Sequence, residues 1–177
     1  MNVCKKCVLL AMLVSFWTPV FVAAQDPESQ SRESIVATAR EMISGVRFGT
    51  LITLDESGHP QARTMEPFQP EDNMVVWFGT NRHSGKVEEI EADSRATLHY
   101  QMPDGKGYVT MTGHASLVDE SAEKEKRWMP QWSAFYPDRE EMYVLIKFVP
   151  DRLEVVSYPH GLIGDSVTWE APTLDLQ

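Results

Sequence analysis

One short segment of the chain concentrates side chains that can bind an anion. It begins with an apolar run, residues 74–78, which predicts a buried strand that breaks at Gly79. The next seven residues carry two hydroxyls, an amide and a lysine, from Thr80, Ser84, Asn81 and Lys86. Residues 86–91 then predict the first turns of a short helix, whose free N–H groups and positive dipole end favour a phosphate. The segment therefore predicts an anion site where a strand runs into a helix.

A second cation lies in the preceding predicted strand, in the tripeptide Arg63-Thr64-Met65. Each candidate also has an ordinary structural interpretation. A single arginine in a strand is often a surface residue, and Ser84 is also a suitable helix N-cap. The apolar residues before Gly79 fit a core strand. The joint occurrence of the two segments, and no single member, predicts a site for a phosphate-bearing ligand, because a buried phosphate requires paired donors.

Together the two segments resemble the flavin-binding split barrel of the pyridoxamine 5'-phosphate oxidase superfamily, above all its short bacterial general stress protein branch. The resemblance spans about residues 31–158 and implies a mainly β fold, an antiparallel split β-barrel that binds FMN between the chains of a homodimer. It implies that an Arg-x-Val/Met strand and a Thr-Asn-x-x-Ser-x-Lys turn hold the cofactor. The cofactor-binding residues that follow from it are Arg63, Thr64, Met65, Gly79, Thr80, Asn81, Ser84, Lys86, Tyr108 and Trp128. Among them, Thr80 and Met65 would lie along the ring, and Trp128 would cap the site of a neighbouring subunit.

The resemblance covers the cofactor half of the family pattern and not the substrate half. The authentic oxidases carry a basic residue where Gly85 stands and a lysine where Phe68 stands. Their C-terminal tryptophan-arginine segment and Arg-x-His pair have no counterpart after Val149. We therefore expect a small FMN-dependent oxidoreductase or a stress-related flavin binder that does not oxidise pyridoxamine phosphate, with its catalytic residues and substrate unassigned. Two alternatives stay open: a haem-binding or haem-handling barrel, and a cofactor-free binding protein of the same fold.

The hydrophobic pattern predicts the elements that must position these residues. Ile35, Ala39, Met42 and Ile43 recur at helical spacing and predict a helix that runs to about Ser44. Alternation predicts strands at about residues 48–54, 61–66, 74–78, 96–100, 108–118, 143–149 and 153–158, and further helices near residues 86–91 and 123–129. Antiparallel strands with peripheral helices are typical of a barrel. In the longest strand one face is apolar, and the other carries Tyr108, Thr110, Thr112 and His114, where we expect cofactor or partner contact.

The first 24 residues predict a secretory signal peptide. Lys5 and Lys6 precede an apolar stretch, residues 8–22, which ends in small residues suited to cleavage before Gln25. The stretch is shorter than the ~20 residues of a spanning helix, and a proline interrupts it. Residues 25–30 predict a linker and residues 31–177 the split-barrel domain. The lysine pair favours the general secretory route to the periplasm, so an unfolded chain would acquire its flavin after export.

Composition excludes several other classes of protein. Without Lys5 and Lys6 the chain has 14 basic against 26 acidic residues, which argues against nucleic acid or an anionic membrane as partner. Both cysteines precede the predicted cleavage site, so the mature chain would have no disulfide and no thiolate ligand. The nucleophile-elbow, P-loop and dinucleotide motifs are absent. The five histidines lack metal-ligand spacing, although His99 and His114 can meet across neighbouring strands, which keeps haem as the rival ligand.

Overall fold

Seven antiparallel strands form one curled sheet, and the helices pack around it. This computed structural model describes residues 32–176. In chain order the elements are α1 (Arg32–Ser44), β1 (Gly49–Leu54), β2 (Pro60–Met65), β3 (Val76–Asn81), α2 (Gly85–Ala92), β4 (Arg95–Gln101), β5 (Gly107–Val118), α3 (Ser121–Lys126), α4 (Arg139–Met142), β6 (Tyr143–Ser157) and β7 (Thr173–Asp175). Within the described residues, two 3-10 turns lie between these elements: Pro130–Ala134 follows α3, and Tyr158–His160 follows β6.

The strand order is β2-β1-β4-β5-β6-β3, with β7 added to β6. The separate strands predicted for residues 143–149 and 153–158 are one strand, β6, so this prediction was wrong. The reason lies at Pro150, where the β5–β6 register shifts: Thr112 pairs with Arg152, but Gly113 pairs with Pro150. One extra residue on β6 forms a bulge there, which accommodates a proline that has no N–H to donate.

The main core lies on the inner face of the curled sheet, and its members follow the predicted periodicities. The helical positions Ile35, Ala39, Met42 and Ile43 are all buried, which confirms the predicted apolar face of α1. Alternate residues of β4 and β5 are buried as predicted: Ala96, Leu98, Tyr100, Val109, Met111 and Ala115. Burial of such a face removes apolar area from water and is the main force that holds α1 and the sheet together.

A second, aromatic cluster lies outside the main core, between β3, the start of β6 and the segment that follows α3. Its buried members are Val75, Trp77, Tyr143 and Leu145, and Phe68, Trp128, Trp132 and Tyr136 pack against them. The helix predicted over residues 123–129 ends earlier, at Lys126, so Trp128 lies on the connection after it. This cluster positions the end of β3, where the candidate site begins.

The predicted signal peptide and linker, with Cys4 and Cys7, lie outside the described residues. Within residues 32–176, no helix has both the length and the apolar character needed to cross a membrane.

Candidate functional site

Strand β3 leads directly into the candidate site, and it continues further than the sequence predicts. The strand does not break at Gly79 but runs to Asn81, and Gly79 pairs with Leu145 of β6. A β-carbon at Gly79 would lie 2.6 Å from the Trp132 ring and 2.7 Å from the Tyr143 ring. The glycine is therefore required because two aromatic rings pack on its Cα, and it does not end the strand.

A tight turn connects β3 to α2 and orients the polar side chains. The Ser84 N–H donates to the Asn81 carbonyl at 3.0 Å, and Asn81 Oδ1 accepts from the His83 N–H at 2.9 Å. Ser84 is the N-cap residue of α2, as predicted, but its side chain makes no capping hydrogen bond. Its hydroxyl lies instead 3.4 Å from the Thr80 hydroxyl. The free N–H groups of the first turn of α2 are thus not covered by a side-chain cap.

Lys86 points back across the turn to the end of β3. Its Nζ donates to Thr80 Oγ1 at 3.1 Å, and Thr80 itself is 4% exposed. Burial lowers the pKa of Lys86, the positive charge of Arg63 lowers it further, and Glu89 raises it in part. An anion bound beside Lys86 would oppose both of these lowering effects and stabilise the charged amine.

Arg63 reaches the same place from β2. It pairs with Leu51, so its side chain shares the inner face of the sheet with Leu51 and Thr53. Its Nη1 donates to Thr53 Oγ1 and to Glu89 Oε2, both at 2.8 Å, and its Nη2 donates to Glu89 Oε1 at 3.2 Å. Within the described residues, these bonds leave two of the five guanidinium N–H donors available. The fold therefore brings together the two cations that the sequence singled out.

Two further members of this group were missed in the sequence. Glu89 lies three residues after Lys86, a spacing that places both on one side of a helix, and Thr53 is an inward position in the alternation of β1. The Thr53 hydroxyl also donates to Glu89. Burial raises the pKa of Glu89, but the hydrogen bonds from Arg63 and Thr53 outweigh it, so this pKa lies below its ordinary value. Glu89 is therefore a carboxylate at neutral pH.

The remaining residues of the two motifs have different placements. Thr64 points to the opposite face from Arg63 and is exposed, whereas Met65 packs against the main core. Thr64 thus lies apart from the Arg63–Lys86 group, and its predicted role in cofactor binding stays a prediction.

Tyr108 lies on the outer face of the sheet, opposite to the face of Arg63. Its hydroxyl donates to Glu154 Oε1 at 2.7 Å, and its ring centroid is 5.5 Å from that of His99. Burial, and then the Glu154 carboxylate, raise the pKa of Tyr108 to about 12. Within one chain, Tyr108 and Arg63 do not converge on a common site.

Trp128 belongs to the aromatic cluster of its own chain. Its ring packs edge-on against Tyr143 at 5.2 Å, and the Arg139 guanidinium lies 4.4 Å from its centroid. It reaches the site only indirectly, since Tyr143 also packs against Gly79. A direct contact with cofactor, as the resemblance implies, stays a prediction.

The two histidines that could have met across strands do not pair. His99 is opposite Thr110 and His114 is opposite Arg95, so they lie four residues apart along the β4–β5 ladder, about 13 Å at ~3.3 Å per residue. His99 Nδ1 lies 2.9 Å from Thr110 Oγ1, and His114 Nε2 lies 3.3 Å from Asp151. Among residues 32–176, no three His, Cys, Asp or Glu side chains form a group that could hold a metal ion.

The sheet order and the helices around it define an antiparallel split β-barrel, which confirms the predicted fold class. The profile of a family described as "Pyridoxamine 5'-phosphate oxidase like" matches residues 34–163. The chain therefore belongs to the pyridoxamine 5'-phosphate oxidase-like family.

Individual relatives agree with this assignment. The chain is 28% identical over 141 residues to a pyridoxine/pyridoxamine 5'-phosphate oxidase of Anaeromyxobacter dehalogenans. The aligned region covers 73% of this chain and 71% of the relative. General Stress Protein 26 of Bacillus anthracis superimposes with a TM-score of 0.58 at 26% identity, over 68% of this chain and 92% of the other. A heme binding protein of Mycobacterium smegmatis superimposes with a TM-score of 0.61 at 16% identity, over 82% and 60% of the two chains, and shares the fold. The likeness to a general stress protein confirms the branch that the motifs indicated.

Proposed function

We propose that the chain is an exported FMN-binding split barrel, either a small flavin-dependent oxidoreductase or a flavin binder linked to stress. The observation that carries the proposal is the pair of cations, Arg63 and Lys86, which two distant segments bring to the uncapped N-terminus of α2. The chain as a whole is acidic, with a formal charge of −10. Two neighbouring cations in such a chain provide what an anionic ligand needs.

The donor set fits a phosphate group. Lys86 Nζ, the Ser84 hydroxyl, the two unused N–H donors of Arg63 and the first N–H groups of α2 supply charged and neutral donors of the kinds that bind phosphate. Thr80 and Met65 would lie along the ring, as the resemblance implies. When bound, the flavin would supply the transfer of electrons, and the residues of this chain would bind and orient it.

The placement of Tyr108 supports a homodimer. Tyr108 and Arg63 lie on opposite faces of one sheet, so a single cofactor cannot contact both side chains of the same chain. If Tyr108 contacts a flavin, that flavin is held by Arg63 and Lys86 of a second copy. Light scattering on the flavin-loaded protein tests this, and a monomer that nevertheless protects its flavin from solvent quenchers would contradict it.

The phosphate assignment is tested by comparing FMN with riboflavin, which lacks the phosphate. Lys86→Ala removes one charge-assisted hydrogen bond and should weaken FMN binding by about 1.5–3 kcal/mol, with little effect on riboflavin. Lys106→Ala is the matched control, because Lys106 is exposed on the β4–β5 hairpin. Equal affinity of the wild-type protein for FMN and riboflavin would contradict the assignment.

Haem is the second candidate, because a protein with this fold is a heme binding protein. The absorption spectrum of the purified protein separates the possibilities: flavin bands support the proposal, a Soret band supports haem, and neither supports a cofactor-free binding protein. Export rests on residues 1–24 alone. Mass spectrometry of the protein recovered from the periplasm tests it, since cleavage is expected before Gln25.

A further inference from the structure

A carboxylate stands among the cations of the proposed phosphate site. Glu89 accepts hydrogen bonds from both terminal nitrogens of Arg63, at 2.8 and 3.2 Å, and one from Thr53. Its side chain is only 16% exposed, and that of Arg63 is 23% exposed. A partly buried, bidentate pair of this kind is stronger than a surface ion pair, because solvent screens it less.

We infer that Glu89 is a specificity-determining residue, which limits the negative charge that the site can neutralise and so weakens its binding of phosphate groups. The inference rests on the proposed function, in which Arg63 and Lys86 hold a phosphate. These two residues contribute two positive charges, and Glu89 cancels one of them. A phosphate monoester carries about −1.5 to −2 charges at neutral pH, so about 0.5 to 1 negative charge of the ligand stays uncompensated by these side chains.

The geometry of Arg63 adds a second reason. Nη1 uses both of its hydrogens, on Thr53 and Glu89, and Nη2 uses one on Glu89. The donors that stay available are the Nε–H and one Nη2–H. A phosphate that uses them becomes the second anion on one guanidinium, and the two anions repel each other across a partly desolvated space.

The other charged groups around Glu89 do not offset this repulsion. Asp55, from the turn between β1 and β2, raises the pKa of Glu89 and is thus another negative neighbour. Glu88, on the same helix, lines with Asp55 and Glu89 a cavity at the N-terminus of α2. Lys86 and Arg63 are the positive groups that act on this region. Glu89 is the carboxylate that touches Arg63 directly, and so the one whose removal should matter most.

Glu89→Gln tests the inference, because glutamine keeps an oxygen acceptor for Arg63 and removes the charge. The matched control is Glu91→Gln, which removes the same charge from an exposed position near the C-terminal end of the same helix. Dissociation constants for FMN and riboflavin are measured by quenching of flavin fluorescence, at one pH and one salt concentration. We expect Glu89→Gln to bind FMN about tenfold more tightly, Glu91→Gln to change by less than about twofold, and riboflavin binding to stay unchanged in both variants.

The outcomes separate the inference from the proposed function. If Glu89→Gln binds FMN with unchanged or weaker affinity while wild type prefers FMN over riboflavin, the inference is overturned and the proposed function stands. If wild type does not prefer FMN over riboflavin, the proposed function fails. The inference is then tested with inorganic phosphate, whose binding is measured as a rise in the thermal unfolding midpoint. Phosphate should then stabilise Glu89→Gln more than wild type or Glu91→Gln, and equal shifts in the three proteins would overturn the inference.

Discussion

Gly79→Ala should destabilise the chain, because the aromatic cluster leaves no room for a β-carbon at the end of β3. The new atom would lie 2.6 and 2.9 Å from two atoms of the Trp132 ring and 2.7 Å from the Tyr143 ring. Carbon atoms pack favourably at about 3.5–4.0 Å, so both rings must move by roughly 1 Å. Trp132 is half-buried and can tilt outward, but Tyr143 is fully buried, and its hydroxyl donates to the Arg127 carbonyl at 3.2 Å.

The expected loss follows from these constraints. Overpacking typically costs about 1–3 kcal/mol, and the reduced entropy of the unfolded chain returns about 0.4–1 kcal/mol, so the net loss should be about 1–2 kcal/mol. For a domain of this size, that corresponds to a fall in the unfolding midpoint of roughly 2–8 °C. Urea and thermal unfolding, followed by tryptophan fluorescence, measure both the free energy and the disturbance of the cluster.

Gly85→Ala is the matched control. At Gly85, the first residue of α2, a β-carbon would lie 3.7 Å from Glu89 Oε1, which is an ordinary contact. Alanine favours a helix by up to about 1 kcal/mol over glycine, so this variant should be as stable as wild type or more stable. If Gly79→Ala unfolds at the wild-type midpoint with unchanged fluorescence, then the packing of Trp132 and Tyr143 does not require a glycine at position 79, which would refute the prediction.

Three further predictions concern acid stability, the aromatic cluster and the reaction. The folded pKa of Glu89 is lowered, so its carboxylate stabilises the fold above the unfolded pKa of about 4.3, and this contribution is lost as the pH falls through the folded value. Acid titration should therefore show a shallower loss of stability below about pH 4.3 in Glu89→Gln than in wild type. Arg127 is 7% exposed, lies 3.6 Å over the Trp77 ring and donates to Glu71 at 2.9 Å. Arg127→Met should therefore lower the free energy of unfolding in urea by about 1–3 kcal/mol, and an unchanged midpoint would show that Arg127 does not stabilise the aromatic cluster. Flavin-loaded protein should oxidise pyridoxamine 5'-phosphate far more slowly than ~1 per second, because Phe68 packs on Trp132 at 5.9 Å where the authentic oxidases carry a substrate-facing lysine. Oxygen uptake near that rate with pyridoxamine 5'-phosphate would contradict this prediction.

Local patterns predicted much of the fold. The buried positions of α1 follow helical spacing, and those of β4 and β5 follow strict alternation, because each is set by the periodicity of one element. Ser84 was also recognised as a suitable N-cap, since a serine before a helical pattern is a local signal, although the helix was predicted from Lys86 and begins at Gly85. The errors lie where a distant segment decides the outcome. β3 continues through Gly79 because β6 pairs with it, and β6 passes Pro150 because β5 shifts register there.

The candidate site divides in the same way. The sequence by itself identified Arg63, Thr80, Ser84 and Lys86, because hydroxyls and cations at the spacing of a strand-to-helix turn point to an anion without knowledge of the fold. Only the tertiary structure decided that Arg63 faces Glu89, a residue 26 positions away, and that Thr53 completes the group. Nothing local marks a glutamate on an amphipathic helix as the partner of a particular arginine. The curl of the sheet brings β1, β2 and α2 together. The charge of the site is therefore a property of the fold, because the charges of β2 and α2 act on each other strongly only at short distance and in partial burial.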